Sequence, residues 1–88
     1  MDESQIKNLL NSSKYLVGKR QTLRALLETA DVDGVIIAED SEKHIISSVV
    51  DLCKMKSVHY EMVNISKSAL GSLAGIKVNC SMICLLKN

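Results

Sequence analysis

The chain has 88 residues, of which 47% are hydrophobic and 24% charged, with 11 Lys and Arg against 10 Asp and Glu. This composition is that of an ordinary globular protein, and the length predicts one domain with one core, spanning residues 1–88. Tyr15 and Tyr60 are the only aromatic residues, which excludes RNA readers that stack successive bases on an aromatic platform.

The first half of the chain predicts two helices and two strands. Apolar residues three and four positions apart predict helices over 2–11 and 19–29. The inward stripe of the second helix is predicted to hold Leu23, Leu26, Leu27 and Ala30. Short apolar runs predict a strand over 15–17 and, after a turn over 31–33, a central strand over 34–38.

The second half predicts the same alternation of helices and strands. The predicted elements are a helix over 41–55, a strand over 58–63, a helix over 66–74 and a strand over 81–86. Asp40 or Ser41 is expected to cap the helix over 41–55, and Ser66 the helix over 66–74. Gly75 is expected to end that second helix, and Gly71 to mark a point of close packing within it. The alternation predicts an α/β fold with helices on both faces of a sheet, a three-layer α/β/α sandwich.

Charge is distributed unevenly along the chain. The bases between Ser4 and Leu27 are Lys7, Lys14, Lys19, Arg20 and Arg24, with no acid among them. The acids that follow are Glu28, Asp31, Asp33, Glu39, Asp40 and Glu42, with no base among them. A basic patch and an acidic patch are implied. The basic segment is either a local site for a polyanion or a solvated face.

The motifs of common enzymes are absent. There is no glycine-rich phosphate loop, GxGxxG, GxSxG or HExxH, so we expect no enzyme, no cofactor and no small-molecule substrate. Cys80 and Cys84 are predicted to share a strand face with Met82 and to pack in the core, without binding a metal. With no export signal or membrane-spanning run visible, we expect reduced thiols, a cytoplasmic location and no membrane partner.

One group of residues has the chemistry of nucleic-acid binding, at the predicted start of the second helix after a short strand. The segment 18–24 reads Gly-Lys-Arg-Gln-Thr-Leu-Arg. A helix start presents free N–H groups and a positive dipole end to phosphate. Arg20 and Arg24 share a face, with Gln21 beside them, and these side chains can bind phosphate or base edges. An ordinary amphipathic helix with basic surface residues would have the same pattern.

Three motifs in order resemble a known family. They are GKRQTLRAL at 18–26, VIIAED at 35–40, and KSALG at 67–71 followed by AGIKV at 74–78. The chain resembles the kink-turn RNA-binding family of large-subunit ribosomal proteins, most closely its small bacterial members of the YbxF and YlxQ type. The resemblance covers residues 14–86 and implies an α/β/α sandwich with a mixed four-stranded sheet.

The resemblance also implies a site and a partner. The helix start would enter the widened groove of a kinked RNA beside tandem sheared G·A pairs. Arg20 and Gln21 would then read guanine edges, Arg24 would contact phosphate, and Gly18 would let the backbone approach. Flipped-out nucleotides would pack on Ile76, Lys77 and Val78, and further phosphate contacts would come from Lys19, Thr22 and Lys67. The expected partner is a structured RNA in ribosomal RNA or an mRNA leader, with ribosome association.

Archaeal and eukaryotic members of that family carry Asn-Glu where this chain has Arg20-Gln21. An amide accepts less strongly than a carboxylate, whereas arginine adds attraction to any phosphate. We therefore expect affinity to be kept and selectivity to fall.

A protein-interaction adaptor is the alternative function. It would retain the fold without specific RNA recognition and would use the acidic segment 28–42 or the N-terminal helix as its contact surface. The near-zero net charge favours it. The adaptor function is compatible with separation of the 18–24 and 76–78 segments, whereas RNA binding requires them side by side.

Overall fold

The structure is a computed structural model that describes residues 1–28 and 31–87. Within these residues helices and strands alternate. In chain order they are α1 (Glu3–Ser12), β1 (Lys14–Val17), α2 (Lys19–Leu27), β2 (Val32–Ala38), α3 (Lys43–Lys56), β3 (Tyr60–Val63), α4 (Lys67–Leu73) and β4 (Met82–Leu86).

The strands form one mixed sheet in the order β1-β4-β2-β3. Strand β4 is antiparallel to both β1 and β2, whereas β2 and β3 are parallel. The continuous apolar run of β2 suits its central place, because both faces of that strand are covered. The mixed four-stranded sheet that the resemblance implied is confirmed.

Helices cover both faces of this sheet. Ile6 of α1 and Leu70 of α4 pack with Ile36 and Ile83 on one face. On the other face α2 and α3 pack over alternate residues of the same strands. The members on that second face are Ala25, Leu26, Ile45, Val49, Cys53, Val35, Ile37, Met82 and Cys84. The predicted three-layer α/β/α architecture is therefore confirmed.

Local capping signals fix two of the helices. The Asp2 carboxylate accepts from the Gln5 amide at the start of α1, and Ser66 Oγ accepts from the Ala69 amide at the start of α4. Helix α4 ends before Gly75, whose φ of 77° is the left-handed conformation that glycine favours. The predictions for Ser66 and Gly75 are confirmed.

The predicted cap of α3 is wrong. Its N-cap is Glu42, and no side chain caps the helix. The Asp40 carboxylate accepts instead from the Lys67 amide of α4, and the Ser41 hydroxyl donates to the Ser81 carbonyl. Asp40 is thus a capping residue, but of a helix that lies 27 positions away in sequence.

Three boundary predictions also need correction. Strand β2 begins at Val32, within the segment where a turn was expected. Its pairing with β4 shifts register between Val32 and Gly34, so Asp33 is accommodated as an irregularity in the strand. Strand β3 begins only at Tyr60, since the Val58 amide still donates to the Cys53 carbonyl of α3. Helix α2 is described from Lys19 to Leu27. The predictions for Thr29 and Ala30 lie outside the described residues.

The predicted face shared by Cys80, Met82 and Cys84 is only partly right. Met82 and Cys84 pack under α2 and α3, whereas Cys80 precedes β4 and packs on the opposite face of the sheet. The alternation of side chains fails there because the strand has not yet begun. All three cysteines of the chain are buried as free thiols. No helix in 1–28 or 31–87 is long and apolar enough to cross a membrane.

Candidate functional site

Three segments that are distant in sequence meet at one end of the sheet. The Gly18 amide donates to the Met82 carbonyl at 2.9 Å, which joins the start of α2 to β4. The Cys80 amide donates to the Lys67 carbonyl at 3.0 Å, which joins the loop before β4 to α4. This junction brings together the three segments that the sequence singled out, 18–24, Lys67 and the loop after α4.

An open groove of about 310 Å³ lies at this junction, and we call it the end groove. Its lining comes from α2, α3, α4 and the loop before β4. The lining residues are Gly18, Lys19, Glu42, Ile45, Lys67, Asn79 and Ser81. Four parts of the chain therefore contribute to a single concave surface.

Gly18 forms the sharp entry to α2. Its φ of 91° is in the region that side-chain-bearing residues rarely adopt, so glycine is required there for conformational reasons. No side chain caps the first turn of α2, and no described atom beyond Gly18 and its two chain neighbours lies within 4 Å of where a Cβ would stand on Gly18. A ligand can therefore approach the backbone of this turn closely.

The exposed face of α2 carries its basic residues. Arg20, Gln21 and Arg24 are all exposed, and the spacing of Arg20 and Arg24 places both on one face. Arg24 Nε lies 3.2 Å from Glu28 Oε1 in an exposed ion pair. Leu27 is also on this side, 62% exposed, which contradicts the expectation that it turns inward.

Thr22 is the exception among the α2 candidates. Its side chain is 0% exposed, and Thr22 Oγ1 donates to the Gly18 carbonyl at 2.8 Å. A side chain buried in this way does not reach a phosphate, so the expected phosphate contact from Thr22 is wrong. Its hydroxyl instead stabilises the turn at Gly18.

The loop between α4 and β4 is held close to α4. A methyl group on Gly71 would collide with the Val78 carbonyl oxygen, which confirms the close packing expected at this glycine. Ile76 is half-buried against the core, whereas Lys77 and Val78 are exposed, Val78 to 70%. The loop therefore presents a cationic and an apolar side chain immediately before Asn79 of the end groove.

The end groove offers both positive and negative groups to a ligand. The uncapped starts of α2 and α3 both point their positive dipole ends here. Within 1–28 and 31–87, neither Lys19 nor Lys67 forms an ion pair. Glu42 adds a carboxylate, 3.5 Å from His44 Nε2, that can accept from a base N–H.

A second cavity, of about 230 Å³, lies near the C-terminal ends of α2 and α3. Leu26, Lys56 and Ser57 are part of its lining. Helix C-termini carry partial negative charge, whereas the helix starts at the end groove carry partial positive charge, but lysines line both cavities, here Lys56 and Lys87.

The acidic segment 28–42 does not form one patch. Asp31 and Asp33 lie at the start of β2, whereas Glu39, Asp40 and Glu42 follow its end. A seven-residue strand separates the two groups by roughly 20 Å. The single acidic surface expected from the sequence is therefore wrong.

The thiols are poorly suited to nucleophilic chemistry. Burial raises the pKa of Cys84 to about 11, and the neighbouring Cys53 adds to that rise. Burial is also the largest influence on Cys80 and raises the pKa of its thiol. Across the part of the chain that the structure describes, no three His, Cys, Asp or Glu side chains are grouped to hold a metal ion.

Sequence reasoning missed four residues of the end groove. They are Glu42, Ile45, Asn79 and Ser81. No pattern along the chain marks them, because α3 and the loop before β4 are brought beside α2 only by the sheet order.

Comparison with known proteins relates this arrangement to a known family. Residues 3–88 match the model of the ribosomal protein L7Ae/L30e/S12e/Gadd45 family. An RNA-binding protein of Staphylococcus aureus (strain JH9) is 35% identical over 77 residues, which cover 88% of this chain and 89% of that protein.

Two solved structures share the fold. A protein of unknown function from Bacillus halodurans superposes with a TM-score of 0.80 at 20% identity, covering 97% of this chain and 83% of that one. The 15.5 kD RNA binding protein of Giardia lamblia superposes with a TM-score of 0.79 at 24% identity, covering 94% of this chain and 68% of that one.

Proposed function

The chain belongs to the ribosomal protein L7Ae/L30e/S12e/Gadd45 family, and from this premise we propose that it is a non-enzymatic RNA-binding protein that recognises kink-turn or similarly bulged RNA. We propose that residues 1–88 act as one RNA-binding domain in the cytoplasm. Its expected targets are ribosomal RNA or a structured mRNA leader, and ribosome association follows if the target is ribosomal.

The observation that carries this proposal is the shared end groove. Gly18 and Lys19 of the α2 start line it together with Asn79, the residue that follows Ile76–Val78. The start of the 18–24 segment and the residue that follows the 76–78 segment therefore line one groove, which supports a site made from both segments.

The exposed side chains of α2 suit the contacts expected at a kink. Arg20 can donate two parallel hydrogen bonds to a guanine edge, and Gln21 can both donate and accept. In the proposed complex these residues read the G·A pairs, while Arg24 and Lys19 bind phosphate. A kink opens the deep groove of the A-form helix, which is otherwise too narrow for side chains to read.

The end groove and the loop suit unstacked nucleotides. Val78 offers an exposed apolar contact for a base, Lys77 and Lys67 offer cations for its phosphates, and Glu42 offers an acceptor for a base N–H. In the proposed mechanism the protein binds the bent state of the RNA better than the extended state and so shifts the RNA population toward it.

The adaptor alternative loses one of its two proposed surfaces, and the N-terminal helix remains as the other. Its proposed acidic patch is divided, because among the described residues Asp31 and Asp33 lie at one end of β2 and Glu39, Asp40 and Glu42 at the other. By contrast, the α2 start and Asn79, which follows the 76–78 loop, line one groove, and this favours RNA.

A binding titration tests the proposal. One RNA carries a three-nucleotide bulge and tandem G·A pairs, and its control has those pairs replaced by Watson–Crick pairs, at fixed Mg²⁺ and two salt concentrations. We expect submicromolar binding of the first RNA and binding of the control that is weaker by about tenfold or more, as removal of one good base contact produces. Equal, strongly salt-dependent binding would reduce the site to a general phosphate patch, and absence of binding would favour the adaptor.

Arg24 is expected to contribute to affinity without sequence preference. Arg24→Ala should weaken binding of both RNAs alike and reduce the slope of log affinity against log salt by about 1, as removal of one phosphate contact does.

Glu28→Gln removes the carboxylate that pairs with Arg24. It should strengthen binding by about twofold, the size of an exposed i, i+4 pair. Titrations in a salt series measure both effects, and an unchanged slope in Arg24→Ala would contradict the phosphate role.

A further inference from the structure

Cys80 occupies the point where the segments of the end groove are joined. Its amide donates to the Lys67 carbonyl at 3.0 Å, and its thiol donates to the Met82 carbonyl at 2.9 Å. The same Met82 carbonyl accepts from the Gly18 amide at 2.9 Å. One residue therefore links the starts of α4 and β4 and, through a shared acceptor, the N-cap of α2.

The neighbours of Cys80 are part of the site. Asn79 and Ser81 line the end groove on either side of it. The Ser81 carbonyl in turn accepts from the Ala38 amide and from the Ser41 hydroxyl. Cys80 itself is 1% exposed, so it acts on a ligand only through the residues it holds.

We infer that Cys80 is a positioning residue of the RNA-binding site, whose thiol and amide hydrogen bonds hold the Met82 carbonyl, the acceptor of the Gly18 amide, in place beside α4. This inference rests on the proposed function. A thiol suits the position because it fills apolar space on the α1 and α4 side of the sheet and still donates to Met82. Alanine lacks the donor, and serine keeps a donor in a smaller side chain.

Matched cysteine variants separate positioning from stability. Cys80→Ala removes the thiol of the junction, and Cys53→Ala removes a thiol that is 0% exposed on the other face of the sheet. Cys80→Ser is the conservative variant. All are titrated with the bulged G·A RNA at a temperature where circular dichroism shows each of them folded.

Cys80→Ala is expected to bind roughly threefold to tenfold more weakly than the unmodified chain, which is the effect of losing one hydrogen bond. Cys53→Ala should bind like the unmodified chain, and Cys80→Ser should recover to within about twofold. Unchanged binding by Cys80→Ala, an equally large effect in Cys53→Ala, or no recovery in Cys80→Ser would overturn the inference. Failure of the unmodified chain to bind would overturn the proposed function itself.

Thiol labelling tests the same inference without any substitution, and so applies even if Cys80→Ala does not fold. Cys80 becomes reactive only when the junction opens, because it is buried in the closed state. Bound RNA holds both sides of the junction, so it should slow labelling of Cys80 more than that of Cys53 and Cys84. Equal slowing of all three thiols would overturn the inference.

Discussion

Gln21→Ala is expected to weaken binding of an RNA with tandem G·A pairs by about 1–3 kcal/mol, or roughly 5- to 150-fold, the range for removal of a good base contact. Arg20→Ala should have an effect of similar size. Both side chains are exposed on the first turn of α2, next to Gly18, where we propose that RNA approaches the backbone. Titration of each variant with the G·A RNA and with its Watson–Crick control measures the change in affinity.

The two RNAs distinguish a base contact from a phosphate contact. Removal of a base contact weakens binding of the G·A RNA alone, whereas removal of a phosphate contact weakens binding of both RNAs. Asn11→Ala is a suitable control for Gln21→Ala, because it also removes an exposed amide side chain. Asn11 is in α1, near the start of β1, whereas Gly18 follows the other end of that strand. Normal affinity for the G·A RNA in both α2 variants would contradict the assigned site.

Gly71→Ala is expected to destabilise the protein by about 1–3 kcal/mol, the usual cost of overpacking. A methyl group there meets the Val78 carbonyl oxygen, so either the loop or α4 must shift. Helix propensity alone predicts the opposite sign, a gain of up to about 1 kcal/mol for alanine over glycine. Chemical denaturation therefore decides between the two effects by the sign of the change.

The same variant should also weaken RNA binding, because displacement of Val78 moves Lys77 and Asn79 away from the α2 start. Ser72→Ala is the control, as Ser72 is the next residue of α4 and is exposed. It should leave both stability and affinity nearly unchanged. Greater stability of Gly71→Ala than of the unmodified chain would show that the loop adapts without cost, and would contradict its tight packing against α4.

Short-range signals in the sequence were reliable predictors. Ser66 caps α4 and Gly75 follows its end, as expected, because both signals act within one helical turn. Asp40 was also expected to cap a helix and does so, but the helix is α4 and not the expected α3. The Lys67 amide that it binds is brought near by the parallel pairing of β2 and β3, which no local pattern specifies.

The missed features depend on tertiary structure. Leu27 follows helical spacing, yet it faces solvent because the core beneath α2 is filled by Ala25 and Leu26. The face of Cys80 was wrong because strand alternation applies only from Met82 onward. The basic residues of α2 were found from the sequence, but the groove beside them was not, since its other wall comes from α3 and the loop before β4.

RNA binding at the end groove is tested most directly by backbone amide chemical shifts recorded as the bulged G·A RNA is added to the labelled protein. We expect the largest changes on 18–24, on 42–45 at the start of α3, and on 76–81. Little change is expected on 31–34, 56–58 and Lys87, which lie at the opposite end of the α2 and α3 layer. Changes concentrated at that opposite end, with the α2 start unaffected, would contradict RNA binding at the end groove.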